Sequence, residues 1–169
     1  MKVVCETERL IVRQFEYSDA EFIVQLLNEE SFIRYIADKN VRTIEDACNY
    51  LTQGPMASYD MHGFGLSMVC LKETQTPIGM CGVLKRPELD LPDLGYAFLS
   101  QYTGQGYASE AAIGVLNHTL ITYSLDSVLA VTLPANTRSN RLLSRVGFSI
   151  KGDVMLYGST NTLYEFLPK

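Results

Sequence analysis

The stretch Gln101-Tyr102-Thr103-Gly104-Gln105-Gly106-Tyr107-Ala108 decides the fold of this chain. An apolar run, Leu94–Leu99, precedes it, and an amphipathic helical pattern follows it. Two glycines between a strand and a helix let backbone amides surround an anion at the end of the helix where the dipole is positive. The stretch therefore predicts a binding site for a phosphorylated cofactor.

The longest periodic pattern in the chain begins at this stretch. Apolar side chains recur with helical spacing from Ala108 to Tyr123, which predicts a helix over Gly106–Tyr123. A second helix is predicted over Asn136–Val146, with Gly147 as its C-cap. Shorter helices are predicted over Asp19–Asn28, over Ser31–Ile36 and after Thr43, with Ser18–Asp19 as the N-cap of the first and Gly54–Pro55 ending the last. Strands are predicted over Leu10–Phe15, Phe64–Lys72, Ile78–Lys85, Leu94–Leu99, Ser127–Leu133, Phe148–Met155 and Thr162–Leu167.

The order of these elements indicates the fold class. The second and third strands are joined by five polar residues, 73–77, which is typical of a hairpin. A doubly wound α/β fold would alternate strands and helices more regularly than this chain does. We therefore expect an α/β (α+β) fold with a mixed, mostly antiparallel sheet of about six to seven strands, flanked by helices, in one domain over residues 1–169.

Composition excludes several classes of function. The chain has 169 residues, 47% of them hydrophobic, and a net charge of −5, which argues against nucleic-acid binding and slightly favours cationic partners. No apolar run reaches about 18 residues, and the N-terminal residues lack the apolar core of a signal peptide, so no membrane partner is expected. The four widely spaced cysteines form no Cys-x-x-Cys pair, so we expect reduced thiols, a cytoplasmic location and no metal site.

A Gly-rich turn alone is a weak signal, and two interpretations of it have to be considered first. The turn could be a tight connection without any ligand. A dinucleotide site would need a small third residue and a carboxylate at the end of the next strand. Here Ser109 takes the third position, and Asp126 precedes the next predicted strand, so this second reading is disfavoured.

A second segment, 136–148, makes the pattern specific. The Gln101-x-x-Gly104-x-Gly106 turn matches the signature of the GNAT superfamily of N-acetyltransferases, and the Asn136-x-x-Ser139…Gly147-Phe148 segment resembles the branch that includes the ribosomal-protein alanine (Rim-type) acetyltransferases. The same branch is similar at Glu8-Arg9-Leu10, Ile78-Gly79, Leu94-Gly95-Tyr96 and Gly106-Tyr107-Ala108-Ser109-Glu110-Ala111. The resemblance covers residues 6 to 167.

The resemblance implies that acetyl-CoA lies in a cleft where strand Leu94–Leu99 splays from strand Ser127–Leu133. The pantetheine amides would pair with free backbone groups around Phe98 and Leu99. The pyrophosphate would rest on main-chain amides and the helix N-terminus, with glycine needed at 104 and 106 for close approach. The implied cofactor-binding residues are Phe98, Leu99, Tyr102, Thr103, Gly104, Gln105, Gly106, Tyr107, Ala108 and Asn136.

Two residues are the catalytic candidates that the resemblance implies. Ser139 would protonate or hydrogen-bond the departing thiolate, and Asn136 would orient the cofactor. Asn136 could equally be a helix N-cap and Ser139 a solvated helix serine. Tyr157 and Tyr164 are weaker candidates for the acid. The candidates for a general base stay open, as does a chain of water molecules: Glu88, Asp90, Asp93, Glu110 and Glu165.

Several further alternatives stay open on the sequence. Arg138, Arg141 and Arg145 share one helical face, which could approach the 3′-phosphate of CoA or could simply be solvated. The acceptor amine would be a small molecule or a peptide N-terminus, and a homodimer is possible. A non-catalytic acyl-CoA-binding domain would keep Gly104 and Gly106 without needing a proton donor.

Overall fold

The computed structural model describes residues 1–168, in which one eight-stranded sheet carries helices on both faces. The strands are β1 (Val3–Glu6), β2 (Leu10–Arg13), β3 (Ser67–Leu71), β4 (Pro77–Leu84), β5 (Asp93–Phe98), β6 (Val128–Thr132), β7 (Ser149–Leu156) and β8 (Ser159–Phe166). The helices are α1 (Ala20–Leu27), α2 (Glu30–Tyr35), α3 (Ile44–Leu51), α4 (Ala57–His62), α5 (Tyr107–Thr122) and α6 (Thr137–Val146). The predicted mixed, mostly antiparallel sheet is thus confirmed.

The strand order is β1-β2-β3-β4-β5-β6-β8-β7, and within residues 1–168 only β5 and β6 run parallel. Their register consists of the single pair Asp93 and Leu129, whereas β4 and β5 pair over six residues. The Leu129 amide also donates to the Pro92 carbonyl at 2.9 Å. Beyond this point no described residue of β5 pairs with β6. The two central strands therefore part, as the resemblance implied.

Both faces of the sheet are buried, which explains why helices cover both. On β3, Val69 packs into one apolar cluster, whereas Met68 and Cys70 pack into the other. The first cluster includes Ala111 and Leu116 of α5. The second cluster contains the apolar stripe of α1 and part of α3. Alternating side chains along a strand point to opposite faces, so each cluster fixes one helical layer on its own side of the sheet.

The sheet has one strand more than the predicted number of about six to seven, because the sequence pattern does not reveal β1. This strand is four residues long and lies at the edge of the sheet, where it pairs with β2. Its side chains are exposed or half-buried, so the sequence has no clear alternation there. The connection is closed by a hydrogen bond from the Thr7 amide to the Leu10 carbonyl at 2.9 Å.

The prediction that Gly54–Pro55 ends the third helix was also wrong. The chain continues from α3 through a π-helical turn, Thr52–Met56, directly into α4. The wider turn accommodates a proline, which lacks an amide donor and would clash in a regular α-helix. The helix ends instead at Gly63, whose φ of +86° is left-handed.

Capping predictions had mixed outcomes. Thr43 caps α3, and Asp46 completes a capping box, as expected for a helix that starts there. Gly147 ends α6 with a φ of +118°. Asp19 of the predicted Ser18–Asp19 cap stands at the N-cap position of α1, but its carboxylate does not cap that helix and instead accepts two hydrogen bonds of 2.8 Å from Arg13. A 3₁₀ turn, Tyr17–Asp19, leads into α1.

Candidate active site

The edge of β5 that faces the parted strands offers unpaired backbone groups. The Leu99 amide donates to the Ile78 carbonyl of the neighbouring β4 strand at 2.9 Å. Since hydrogen-bonding direction alternates along an antiparallel pair, the amides and carbonyls of Tyr96 and Phe98 point away from β4. Free groups were predicted around Phe98 and Leu99. In the structure they belong to Tyr96 and Phe98, because the Leu99 amide already donates to Ile78.

The turn between β5 and α5 presents unpaired amides. Tyr102 and Thr103 close a 3₁₀ turn by donating to Leu99 and Ser100 at 3.0 and 3.2 Å. Gly104 and Gly106 adopt φ values of +77° and +84°, the left-handed region that favours glycine. The N-terminus of α5 has no side-chain cap, so its first amides remain available to an anion.

One buried hydroxyl at this helix N-terminus has no partner. The Ser109 Oγ atom is buried and makes no hydrogen bond within the described chain. Buried polar groups are normally paired, so an orphan here indicates a ligand atom or a water molecule. A Cβ atom at Gly104 would meet no protein atom within 4 Å. The turn thus has both open space and unsatisfied donors, which fits the diphosphate of a coenzyme.

A cavity of about 520 Å³ connects this turn with α6. It is lined on the α6 side by three exposed arginines, Arg138, Arg141 and Arg145, and on the turn side by Thr103, Gly104, Gly106 and Ser109. The arginine face that the sequence left open therefore borders the predicted phosphate site. Cations beside a helix N-terminus make this end of the cleft strongly anion-attracting.

Arg9, of the Glu8-Arg9-Leu10 segment, contacts both the turn and the first turn of α5. We call Arg9 together with Glu110 the Arg9 brace. Arg9 Nε contacts Glu110 Oε1 at 2.7 Å, and Arg9 Nη1 donates to the Gln105 carbonyl at 3.1 Å. The guanidinium also lies 4.3 Å from the ring centre of Tyr107. Burial disfavours the ionised form of Glu110, but hydrogen bonds from Thr7 and Arg9 outweigh this and lower its pKa. Glu110 is therefore a structural carboxylate.

Asn136 and Ser139 stand together where the β5 edge faces α6. Asn136 is the N-cap of α6, and its Oδ1 atom accepts a hydrogen bond from the Ser139 amide at 3.3 Å. This is the capping role that the sequence offered as one alternative. Ser139 is not a solvated helix serine, because its residue is only 9% exposed and its hydroxyl shares a hydrogen bond with the Tyr96 hydroxyl.

Tyr96 is the main site residue that sequence reasoning missed. Burial raises the pKa of its phenol, and the Ser139 hydrogen bond opposes this only in part. The phenol therefore keeps its proton throughout the physiological pH range. Tyr96 belongs to the Leu94-Gly95-Tyr96 segment, which resembles the family. That segment is the feature of the sequence that could have indicated the tyrosine.

Two further cavities meet at this serine–tyrosine pair and continue the cleft. One, of about 350 Å³, leads toward Phe98 and the turn, and the other, of about 290 Å³, leads toward β4 and the β7–β8 turn. Tyr96, Asn136 and Ser139 line both. No aspartate, glutamate or histidine lines either of these two cavities. The walls around Ser139 thus offer hydroxyl donors and no side-chain base.

The weaker acid candidates are not brought to this pair. Tyr164 is buried and donates to Asn140 Oδ1 at 2.9 Å, which makes it part of a structural network beneath α6. Tyr157 is 75% exposed at the rim of the 290 Å³ cavity. The remaining carboxylate candidates also lie elsewhere: Asp93 pairs with Arg86, Glu165 faces Lys151 at 3.6 Å, Glu88 contacts Tyr157, and Asp90 is exposed.

Two features of the described residues 1–168 bear on other classes of function. No group of three or more histidine, cysteine, aspartate or glutamate side chains is arranged to hold a metal ion. None of the helices combines the length and the apolar character needed to cross a bilayer. All four cysteines are free thiols, with Cys70 and Cys81 buried.

Comparison with known proteins agrees with this geometry. A family model described as an acetyltransferase (GNAT) domain matches residues 9–149. The N-acetyltransferase YoaA of Bacillus subtilis is 28% identical over 156 residues, or 91% of this chain and 87% of that protein. The crystal structure of a GNAT-family acetyltransferase from Bacillus anthracis matches with a TM-score of 0.80 and 25% identity, covering 96% of this chain and 97% of that one.

One solved structure carries the fold at lower identity. RimL, a ribosomal L7/L12 α-N-protein acetyltransferase in complex with coenzyme A, matches with a TM-score of 0.81 and 15% identity over 98% of each chain. At that identity the likeness concerns the fold alone. The family match spans strands β2 to β6, the turn and the α6 segment described above. The chain therefore belongs to the GNAT family of acetyltransferases and is an acetyl-CoA-dependent N-acetyltransferase.

Proposed function

We propose that this enzyme transfers the acetyl group of acetyl-CoA directly to a primary amine, with both substrates bound at once. The observation that carries the proposal is the parting of β5 and β6 beside a turn with unpaired amides and an unpaired Ser109 hydroxyl. The complex of RimL with coenzyme A supports the same ligand for this cleft. Acetyl-CoA supplies the activated acetyl group.

The chain would hold the coenzyme along three surfaces. Backbone groups of Phe98 and Tyr96 would pair with the pantetheine amides as an added strand does. The diphosphate would be bound by the turn and the start of α5, formed by Tyr102, Thr103, Gly104, Gln105, Gly106, Tyr107 and Ala108, with Ser109 added by the structure. Arg138, Arg141 and Arg145 would neutralise the remaining phosphate charge.

The serine–tyrosine pair would act on the two charged species of the reaction. A backbone amide of β5 would stabilise the oxyanion that forms when the amine attacks. The Ser139 hydroxyl, with the protonated Tyr96 phenol behind it, would donate to the departing thiolate. Asn136 would hold Ser139 in place through the α6 cap and would contact the coenzyme from the same cavity.

The acceptor would reach this pair through the 290 Å³ cavity. Because no carboxylate or histidine lines this cavity, the amine would lose its proton to water before it attacks. A small-molecule amine and a peptide N-terminus are the two acceptor classes. Three further points stay predictions: a cytoplasmic location, a homodimer, and the absence of nucleic-acid and membrane partners. The free thiols support the cytoplasmic location.

The experiment is an assay of thiol release from acetyl-CoA with a panel of amines, including short peptides with varied first residues. We expect release with at least one amine. Ser139→Ala should lower kcat about a hundredfold while the Kd for CoA changes less than about threefold. Ser144→Ala, an exposed serine of the same helix, is the matched control and should behave as wild type. CoA binding without release for any amine would support the non-catalytic reading instead.

A further inference from the structure

The 290 Å³ cavity beside Ser139 has an arginine in its wall. Arg86 lines this cavity together with Tyr96 and Ser139. Its Nε atom donates to Asp93 Oδ1 at 3.1 Å, and its Nη2 atom donates to Asp93 Oδ2 at 2.7 Å. This two-point contact holds the guanidinium plane in one orientation.

Asp93 is buried within the sheet, so its carboxylate offers Arg86 a partner whose position is set by strand β5. Its residue is 0% exposed, and it provides the single pair between β5 and β6. Burial raises the pKa of this carboxyl, and the Arg86 charge opposes the shift. The bidentate contact occupies Nε and Nη2 and leaves the Nη1 hydrogens outside it, and the hydroxyl of Tyr157, which lines the same cavity, also lies within hydrogen-bonding reach of the guanidinium. A guanidinium held in this way is already oriented for a second anion.

The charges around this cavity have an uneven distribution. Lys39, which is exposed, is the other cation that lines it, and no carboxylate does. Lys85 is not available to a ligand, because its ammonium donates to the carbonyls of Arg86, at 2.9 Å, and Leu89. Two acids contact residues of its wall: Asp93 pairs with Arg86, and the exposed Glu88 accepts a hydrogen bond from Tyr157 at 3.4 Å.

Apolar and aromatic side chains dominate another part of this cavity, beside the uncharged polar groups of Thr132, Asn136 and Asn161. Phe32, Tyr35, Tyr50, Met80 and Leu94 form much of its wall. Burial raises the pKa of the Tyr50 phenol to about 12, so Tyr50 contributes no negative charge. An ammonium ion would find neither a carboxylate partner nor a water-rich surface here. A hydrophobic body with an anionic group would have partners for both of its parts.

We propose that the acceptor is a small amine with an apolar body and a carboxylate, and that Arg86 binds the carboxylate while the amine faces Ser139. This inference rests on the proposed function and narrows its acceptor class. It favours amino-acid-like amines over peptide N-termini, because the main-chain carboxyl next to a peptide N-terminus is an uncharged amide. It also reverses the expectation of cationic partners that the net charge of −5 suggested.

The test compares amines that share a phenylalanine-like body and differ in whether, and where, they carry a carboxylate. L-phenylalanine, L-phenylalaninamide, 2-phenylethylamine and the dipeptide Phe-Ala are assayed for thiol release at equal concentrations of unprotonated amine. We expect kcat/KM for L-phenylalanine to exceed the values for the amide and 2-phenylethylamine roughly tenfold or more, as for a charge-assisted hydrogen-bonded pair. Thermal stabilisation of the CoA complex by each ligand ranks the same series without turnover.

Variants test whether Arg86 causes the preference. Arg86→Gln alone would leave Asp93 buried without a partner, so the double variant Arg86→Gln/Asp93→Asn is used to keep the pair neutral and hydrogen-bonded. In this variant we expect the ratio of L-phenylalanine to L-phenylalaninamide to fall toward one. Lys151→Gln removes a cation that pairs with Glu165 outside this cavity and should leave the ratio unchanged.

The outcomes separate this inference from the proposed function. Equal or better use of the amide, of 2-phenylethylamine or of Phe-Ala would overturn the inference while acetyl transfer stands. An unchanged ratio in the double variant would also overturn it. Absence of thiol release with every amine would count against the proposed function, and the thermal ranking would still decide whether a carboxylate is preferred. If the double variant does not fold, the wild-type ligand series decides alone.

Discussion

The hydroxyls of Tyr96 and Ser139 share a hydrogen bond between β5 and α6. One residue belongs to the strand whose free edge faces the cleft, and the other lies in the first turn of the helix that follows β6. The contact therefore joins the two sides of the parted sheet at the point where the 350 Å³ and 290 Å³ cavities meet. It also makes the proton position of Ser139 depend on a phenol that stays protonated.

We expect Tyr96→Phe to lower kcat about tenfold and to leave the Kd for CoA nearly unchanged, because Ser139 loses its hydrogen-bond partner. If the two hydroxyls act as a unit, the double variant Tyr96→Phe/Ser139→Ala should be no slower than Ser139→Ala alone. Steady-state kinetics and CoA titration measure both effects. Additive losses in kcat would show that Tyr96 and Ser139 act independently.

Tyr164→Phe is the matched control for this pair. Its hydroxyl is also buried, but it donates to Asn140 beneath α6 and faces neither cavity at Ser139. Loss of that hydrogen bond should lower the free energy of unfolding by about 1 kcal/mol and leave kcat unchanged. A fall in kcat as large as that of Tyr96→Phe would mean that any buried tyrosine under the cleft has the same effect.

Gly106→Ala should weaken CoA binding roughly tenfold. Its φ is +84°, and an added Cβ atom would lie 3.2 Å from Arg9 Nη2, so both the turn and its brace would shift. Isothermal titration with CoA measures the affinity. Gly158→Ala is the control, because that glycine has a φ of +81° and nothing within 4 Å of an added Cβ atom. Both variants should lose about 1 kcal/mol of stability, but only Gly106→Ala should lose affinity.

The sequence was sufficient to predict the elements that local pattern controls. The helix predicted over Gly106–Tyr123 is observed as Tyr107–Thr122, because its apolar period is unbroken and a left-handed glycine precedes it. The turn was predictable for the same local reason. The α3–α4 connection was not, because a π-helical turn that accepts Pro55 depends on packing and leaves no periodic signal.

Contacts between distant residues could not be read from the chain. Tyr96 and Ser139 are separated by 43 positions, and Arg9 and Glu110 by 101. Ser139 was predicted from the family pattern, whereas its buried partner emerges only when β5 and α6 meet. The sequence could not identify a general base either. It offered five carboxylates as candidates, and none of these five lines either cavity at Ser139.

Among the described residues, no carboxylate or histidine lines the two cavities at Ser139, and this predicts how the activity depends on pH. The acidic limb of kcat/KM should follow the pKa of the acceptor amine, because only its neutral fraction can attack. Two acceptors whose amine pKa values differ by about one unit should shift the limb by about the same amount. The measurement is kcat/KM against pH for such a pair. A limb at one fixed pH for both acceptors would indicate a titrating group of the enzyme instead.

Glu110→Gln should remove a pH-dependent part of the stability. Folding lowers the pKa of this carboxyl, since hydrogen bonds from Thr7 and Arg9 outweigh its burial. Its contribution, about 1 kcal/mol, should be complete above the unfolded value near 4.3 and disappear as the pH falls through the lower folded pKa. Urea unfolding of wild type and variant between about pH 3 and 7 measures the difference.

The control separates the Arg9 brace from the helix dipole. Glu21 is exposed in the first turn of α1, where the dipole alone favours a carboxylate. Glu21→Gln should therefore change the stability by less than about half as much as Glu110→Gln, which also loses the bonds to Thr7 and Arg9. Because Arg9 also holds the Gln105 carbonyl, only Glu110→Gln should weaken CoA binding as well. Equal effects of the two substitutions on stability and affinity would show that the brace contributes nothing beyond the dipole.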